Sequence, residues 1–197
     1  MSKPKHKHWI AAKHILRYLR GSIAYGLRYT SSGRVLLHGY ADSDWAGSSV
    51  DWKSTFRFCF SLGSAMISWS SKKKSSIAQS TTEAEYIATS YARRVVWLRK
   101  LMSGLFQERL ETTVIYCDNQ SCLKLTENPV FHDISKHIEM KYHFIRDMVQ
   151  RRTIKLQCIH TDEQITYILT KPLSLGKFVY FRDKLGMAEN ASLTERE

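Results

Sequence analysis

The chain has 197 residues, of which 43% are hydrophobic and 12% aromatic, so it can form one packed domain and is not disordered throughout. Thirty Lys and Arg residues against eighteen Asp and Glu residues give a net charge of +12, which favours a polyanionic partner, either nucleic acid or an anionic membrane face. No apolar run is long enough to span a bilayer and no signal-peptide pattern follows Met1, so we expect an intracellular protein, in the cytoplasm or the nucleus.

The first part of the chain predicts one helix followed by three strands. Apolar residues recur at helical spacing over 9–20, and residues 26–30 suggest a short strand. The run 35–42 is apolar and ends in an acid, whereas apolar and polar residues alternate over 54–63 and again over 65–70. Three adjacent strands with short links predict an antiparallel meander.

Helices and strands alternate in the rest of the chain. An apolar stripe at helical spacing covers 81–105, and a strand-like run follows at 112–117. A second helical pattern covers 134–151, a fifth strand is predicted at 153–160, and a last helix at 174–185. This order of elements predicts an α/β fold, in which helices flank a five-stranded mixed sheet.

Two aspartates occupy equivalent places in this scheme, because Asp42 ends the first strand of the meander and Asp118 ends the fourth strand. Asp118 also stands where a helix begins, and Asp is favoured there as an N-cap. If the two strands are neighbours, the carboxylates lie side by side, which costs stability unless a cation sits between them. Oxygen ligands of this kind suit Mg²⁺ or Mn²⁺.

The long helix offers a third acid in the segment STTEAEY, which contains Glu83 and Glu85. Residues two apart on a helix point about 200° apart, so the two side chains cannot both face one site. A capping box can be formed by Ser80 with Glu83, or by Thr82 with Glu85. The helix therefore has a structural use for one glutamate and leaves the other available, and periodicity does not select between them.

Six motifs, in the order of the chain, resemble the ribonuclease H region of copia-type LTR-retrotransposon polyproteins: YADSDWAG, ISWSSKKKSSIAQSTTEAEYIA, WLRKLM, IYCDNQS, FHDISKHIEMKYHFIRD and ILTKPL. The resemblance covers residues 3–187. It implies a ribonuclease H-like domain over 34–187, preceded by a segment, 1–33, similar to the tail of the reverse transcriptase. Residues 188–197 form a polar tail in this scheme.

The resemblance also implies a site and a reaction. The family's three acids correspond to Asp42, Glu85 and Asp118, with Glu83 as the capping residue. In such a site the carboxylates hold two Mg²⁺ ions, or Mn²⁺, for hydrolysis of the RNA strand of an RNA–DNA hybrid. The partners implied are the hybrid and the remainder of a retrotransposon polyprotein, with no membrane partner.

Two departures from the family pattern leave the chemistry open. Tyr167 stands where the family has a fourth acid, and a phenol that is neutral at pH 7 is a poor Mg²⁺ ligand. Phe56 and Arg57 replace a Ser-Gly pair inside a strand, where bulky side chains are expected to strain the packing. The sequence thus predicts either a metal-dependent endoribonuclease or a non-catalytic nucleic-acid-binding remnant of the same domain; a silent fragment is a third alternative.

A basic run follows the third strand of the meander. The segment SSKKKSS places three consecutive lysines, Lys72, Lys73 and Lys74, where they can contact phosphate, and the net charge favours this over an ordinary solvated loop. We call these three residues the lysine run. The large aromatic residues nearby in the fold follow strand and helix periods, which predicts core packing for Trp69, Tyr91 and Trp97.

Overall fold

The computed structural model describes residues 3–30, 36–44, 55–73, 82–107, 110–118 and 144–190, and for 43–44 and 82–92 it describes the backbone alone. The elements in chain order are α1 (His6–Gly21), β1 (Tyr25–Leu27), β2 (Leu37–Asp44), β3 (Thr55–Leu62), β4 (Ala65–Lys73), α2 (Thr82–Phe106), β5 (Thr113–Cys117), α3 (helical over 144–150), β6 (Ile154–Cys158), α4 (Leu175–Lys184) and β7 (Met187–Glu189). Two 3₁₀ turns, Thr161–Glu163 and Ile165–Leu169, connect β6 to α4. In this part of the chain, no helix combines the length and apolar character needed to cross a membrane.

Five strands form the main sheet in the order β4-β3-β2-β5-β6. The first three are antiparallel neighbours, whereas β2, β5 and β6 run parallel to one another. Parallel strands need long crossover connections, and in this chain the one from β4 to β5 contains α2. The predicted meander and the predicted five-stranded mixed sheet are confirmed.

One face of the sheet packs against α2. Val95 and Leu98 of α2 are buried in one cluster with Phe60 of β3 and Ile115 of β5. Phe60 lies directly opposite Gly39 across the β2–β3 pair, and a Cβ atom at Gly39 would overlap the Phe60 ring. Glycine at this position therefore lets the aromatic ring lie across the neighbouring strand.

The other face of the sheet carries a second buried cluster. Cys59 precedes Phe60 on β3 and so points to the opposite face, where it packs with Met66, Ile165 and Phe181. The second 3₁₀ turn and α4 supply the last two of these residues. Burial raises the pKa of the Cys59 thiol to about 12, so that it stays protonated.

Two tryptophans predicted to lie in the core are instead exposed, so this prediction is wrong for both. Trp69 is 58% exposed because β4 is an edge strand whose second half leaves the core. Trp97 is 51% exposed on α2 between the buried Val95 and Leu98, with the Arg94 guanidinium 4.8 Å from its ring centroid. The side chain of Tyr91 lies outside the described residues.

A small two-stranded sheet joins the two ends of the described chain. Strand β1 pairs with β7 in antiparallel register, with Tyr25 opposite Glu189, and the Asn190 N–H donates to the Ala24 carbonyl at 2.7 Å. Residues 188–190, at the start of the predicted polar tail, are therefore held against β1 by backbone hydrogen bonds. The predicted domain boundaries, between residues 33 and 34 and between residues 187 and 188, stay predictions. Strand β7 spans the second of these boundaries.

Candidate active site

The strands β2 and β5 bring the two predicted aspartates to adjacent positions. The two strands are parallel, and their last paired residues are Ala41 and Cys117. Asp42 is the next residue of β2, and Asp118 directly follows the last residue of β5, so the register places the two at neighbouring backbone positions. Asp42 is buried and Asp118 is half-buried. Parallel strands in α/β sheets commonly present ligand-binding groups at this carboxyl end.

The third predicted acid, Glu85, lies in the first turn of α2, which begins at Thr82. Its side chain, like that of Glu83, falls outside the described part of the chain, as does the predicted helix after Asp118. The assignment of Asp42, Glu85 and Asp118 as metal ligands therefore stays a prediction.

Arg57 forms an ion pair with Asp42. The two residues are directly opposite in the β2–β3 register, and Arg57 Nη1 contacts Asp42 Oδ2. Their side chains are 3% and 6% exposed, so the pair is shielded from solvent. The sequence predicts strain at Phe56 and Arg57. In the structure, the half-buried Phe56 packs against the core on the other face of the sheet, and Arg57 forms its ion pair with Asp42.

Tyr167 lies against the second aspartate. Its hydroxyl donates a hydrogen bond to Asp118 Oδ2 at 2.7 Å, and its ring packs against the buried cluster of Cys59 and Ile165. The Lys171 ammonium lies 3.4 Å from the centroid of the Tyr167 ring. The residue that replaces the family's fourth acid is thus in contact with one of the predicted ligands.

Two buried polar side chains hold the second 3₁₀ turn, Ile165–Leu169, against β2. The Gln164 side-chain amide donates to the Ala41 carbonyl at 2.9 Å, and the Thr166 hydroxyl donates to Gln164 Oε1 at 3.0 Å. Both side chains are fully buried, where an unmade hydrogen bond would be costly. Sequence reasoning missed them because a Gln and a Thr in a polar segment carry no periodic signal.

Asp162, one of two acids that closely precede Tyr167 in the sequence, forms a surface ion pair. Asp162 bonds to the Lys177 ammonium, which together with His160 holds the pKa of the Asp162 carboxyl below its usual value. Its side chain is exposed in the first 3₁₀ turn. The contact with Lys177 gives Asp162 a partner on α4 and makes it a poor substitute for the fourth acid.

Tyr40 and Tyr116 form an aromatic floor beside the two aspartates. They are paired in the β2–β5 register, with ring centroids 4.9 Å apart. Burial is the main cause that raises the pKa of Tyr40 to about 12. This phenol is therefore neutral across the physiological range and adds no negative charge to the site.

The carboxylates described do not fit a pair of Mg²⁺ ions as they stand. Asp42 already faces a guanidinium, and Asp118 accepts a hydrogen bond from a phenol. Among the residues whose side chains the structure describes, no three His, Cys, Asp or Glu residues lie close enough to hold one metal ion. A metal at this place would have to compete with Arg57 for Asp42.

Part of the lysine run is visible at the end of β4. Lys72 and Lys73 are exposed and lie opposite Phe56 and Thr55 on β3, whereas Lys74 falls outside the described residues. Because Arg57 is on the same stretch of β3, these lysines extend from the same end of the sheet as Asp42. Their contact with phosphate stays a prediction.

Three relatives are similar to this chain in sequence. The retrovirus-related Pol polyprotein from transposon RE2 of Arabidopsis thaliana is 40% identical over 188 residues, which cover 95% of this chain and 13% of that protein. The corresponding polyprotein from transposon TNT 1-94 of Nicotiana tabacum is 39% identical over 191 residues, 96% of this chain and 14% of that protein. The secreted RxLR effector protein 161 of Plasmopara viticola is 45% identical over 98 residues, 49% of this chain and 69% of that protein.

The chain thus spans about an eighth of the length of the polyproteins that it matches. The match itself covers nearly all of this chain. No family model matches the sequence. Among solved structures, the N-terminal RNase H domain of Rv2228c from Mycobacterium tuberculosis is 10% identical and covers 75% of this chain and 96% of its own, with a TM-score of 0.48.

Proposed function

We propose that this chain is the ribonuclease H-like domain of a copia-type retrovirus-related Pol polyprotein and that it binds RNA–DNA hybrids, because it is about 40% identical to such polyproteins over nearly all of its length. The observation that carries the proposal is the surface at the carboxyl end of β2, where the two aspartates, the aromatic floor and the exposed lysines of β4 share one end of the sheet. A net charge of +12 favours binding of nucleic acid, and the exposed lysines at this end of the sheet support its placement there.

The chemistry of the binding follows from charge and groove shape. Lysine side chains neutralise phosphates of the hybrid and release counterions, so binding weakens steeply as salt rises. Recognition of the RNA strand depends on its 2′-hydroxyls and on the A-like groove, which a DNA duplex lacks. Binding of this kind needs no divalent cation.

The second candidate function is hydrolysis of the RNA strand by a metal site at Asp42, Glu85 and Asp118. The observation in its favour is the adjacent placement of Asp42 and Asp118 on parallel strands. If Mg²⁺ were bound, it would supply water activation and stabilise the leaving oxygen. The ion pair of Asp42 with Arg57 weighs against this candidate, and hybrid binding without hydrolysis is the function that the geometry supports best.

A binding experiment tests the proposal directly. Fluorescence anisotropy with a labelled RNA–DNA hybrid in EDTA measures the affinity, and unlabelled hybrid, DNA duplex and free nucleotides serve as competitors. We expect the hybrid to compete best and free nucleotides to compete least, with a steep loss of affinity between about 50 and 200 mM salt. Equal competition by free nucleotides and hybrid would contradict the proposal.

A further inference from the structure

The buried ion pair of Arg57 and Asp42 lies at the place where the family resemblance expects a metal ligand. Arg57 is the third residue of β3 and lies opposite Asp42 in the antiparallel β2–β3 pair, so the backbone register itself sets the contact. A shift of one residue would turn the guanidinium to the opposite face of the sheet. The contact is therefore a property of the sheet and does not depend on a mobile surface side chain.

A carboxylate as buried as that of Asp42 needs a positive partner. Removing an ion from water is costly, and the cost is offset in the interior only by a nearby opposite charge with good hydrogen-bonding geometry. The guanidinium supplies a permanent charge and several N–H donors, which match a carboxylate better than an ammonium does. Arg57 thus does for Asp42, electrostatically, what a bound cation would otherwise do.

A metal ion could reach Asp42 only by separating it from Arg57. The guanidinium would then stay buried while its contact with Asp42 is lost. Breaking one partner from a buried pair is unfavourable enough to weaken metal binding by about 10²- to 10³-fold. Mg²⁺ also gives up its waters reluctantly, so it gains little from a single shared carboxylate.

Asp118 also has a hydrogen-bond partner within the chain. The Tyr167 hydroxyl donates to Asp118, and the buried Gln164 amide holds the same 3₁₀ turn on the carbonyl next to Asp42. Both aspartates therefore have partners supplied by this chain. Two residues that depart from the family pattern, Arg57 and Tyr167, thus contact two of the three predicted ligands.

We propose that Arg57 is the resident cation of this site, so that the domain keeps its fold and its carboxylate end without divalent metal and does not cleave the hybrid that it binds. The metal-independence follows from the ion pair alone. The absence of cleavage rests on the proposed function, because it concerns the same hybrid.

Thermal unfolding with a Mg²⁺ titration tests the proposal with a measurement other than activity. The proteins compared are the parent chain, Arg57→Gly and the double variant Arg57→Gly/Asp42→Asn, with NaCl adjusted to constant ionic strength. We expect no saturable rise in Tm for the parent and a saturable rise for Arg57→Gly, since Asp42 then lacks its guanidinium. The double variant should lose this rise.

A matched control tests whether the Mg²⁺ response is specific to loss of the buried Arg57 or follows loss of any arginine. Arg151 forms an i,i+4 ion pair with Asp147, and its side chain is 70% exposed. Arg151→Gly removes the same side chain and charge at the surface, and we expect it to respond to Mg²⁺ as the parent does. If Arg57→Gly does not fold in metal-free buffer, Arg57→Gln is used, because it keeps hydrogen-bonding capacity without the charge.

The outcomes are distinct. A Mg²⁺ response that appears in Arg57→Gly or Arg57→Gln and is absent from the parent supports the proposal. A parent that shows the same saturable response, or the absence of a response from both Arg57 variants, overturns it. Hybrid binding by the parent in EDTA is measured separately, so that failure of the proposed function leaves the result of the Mg²⁺ titration interpretable.

Discussion

Replacing Asp42 by Asn should strongly destabilise this protein. The substitution keeps the shape of the side chain and removes the negative charge that faces Arg57, which is only 3% exposed. Removing one partner of a buried ion pair costs about 3–5 kcal/mol of unfolding free energy. For a chain of this size, 1 kcal/mol corresponds to roughly 2–4 °C in Tm, so the expected drop is about 6–20 °C.

A double-mutant cycle isolates the ion pair from other effects of the substitution. Chemical denaturation by urea, followed by circular dichroism, gives the unfolding free energies of Asp42→Asn, Arg57→Met and the double variant. We expect each single variant to be destabilised and the double variant to recover most of the loss, because a neutral pair of similar volume is often tolerated. The interaction between the two positions should exceed about 2 kcal/mol.

The exposed pair Arg151–Asp147 provides the comparison within the same chain. Asp147→Asn should change the unfolding free energy by less than about 1 kcal/mol, as is usual for surface ion pairs. If Asp42→Asn costs no more than Asp147→Asn, the Arg57 guanidinium does not depend on Asp42, and our reasoning about the resident cation is refuted.

Three further predictions concern other features of the fold. Replacing the three lysines of the lysine run by Ala should lower the slope of log affinity against log salt by up to about 3, as measured by hybrid anisotropy. The control is a variant in which Lys3, Lys5 and Lys7 are replaced by Ala. If both variants show the same slope, the lysine run is a solvated loop. Gly39→Ala should cost about 1–3 kcal/mol through overlap with the Phe60 ring, measured by urea unfolding, and Gly39→Ala/Phe60→Leu should recover part of it. Tyr167→Asp should leave a labelled hybrid uncut in Mg²⁺ while Arg57 is present, whereas Tyr167→Asp/Arg57→Gly should cut it; cleavage by the single variant would contradict the account.

The sheet could be predicted because its strands carry clear local patterns. The alternation of aromatic residues in β3 identifies the face that packs against α2, although the opposite face is buried as well. The strand ends at a turn that contains Gly63, whose φ of 59° favours glycine. The pairing of β1 with β7 could not be predicted, because strands of three residues carry no period and their partners lie more than 150 residues apart.

The candidate site was only partly predictable for a related reason. Asp42 and Asp118 could be placed together because both stand at the ends of predicted strands, and the resemblance drew attention to Arg57 and Tyr167. The sequence could not show that Arg57 meets Asp42, because that contact depends on the register between β2 and β3. The buried Gln164 and Thr166 form a polar network that arises from packing alone.

The most direct test of the central claim is a single assay of the parent protein with a labelled RNA–DNA hybrid, in EDTA and in Mg²⁺ at matched ionic strength. Binding is followed by anisotropy, and the length of the RNA strand is measured on a denaturing gel from the same samples. We predict equal affinity in both buffers and an intact RNA strand. Mg²⁺-dependent cleavage that Asp42→Asn abolishes would contradict the claim that Arg57 replaces the metal.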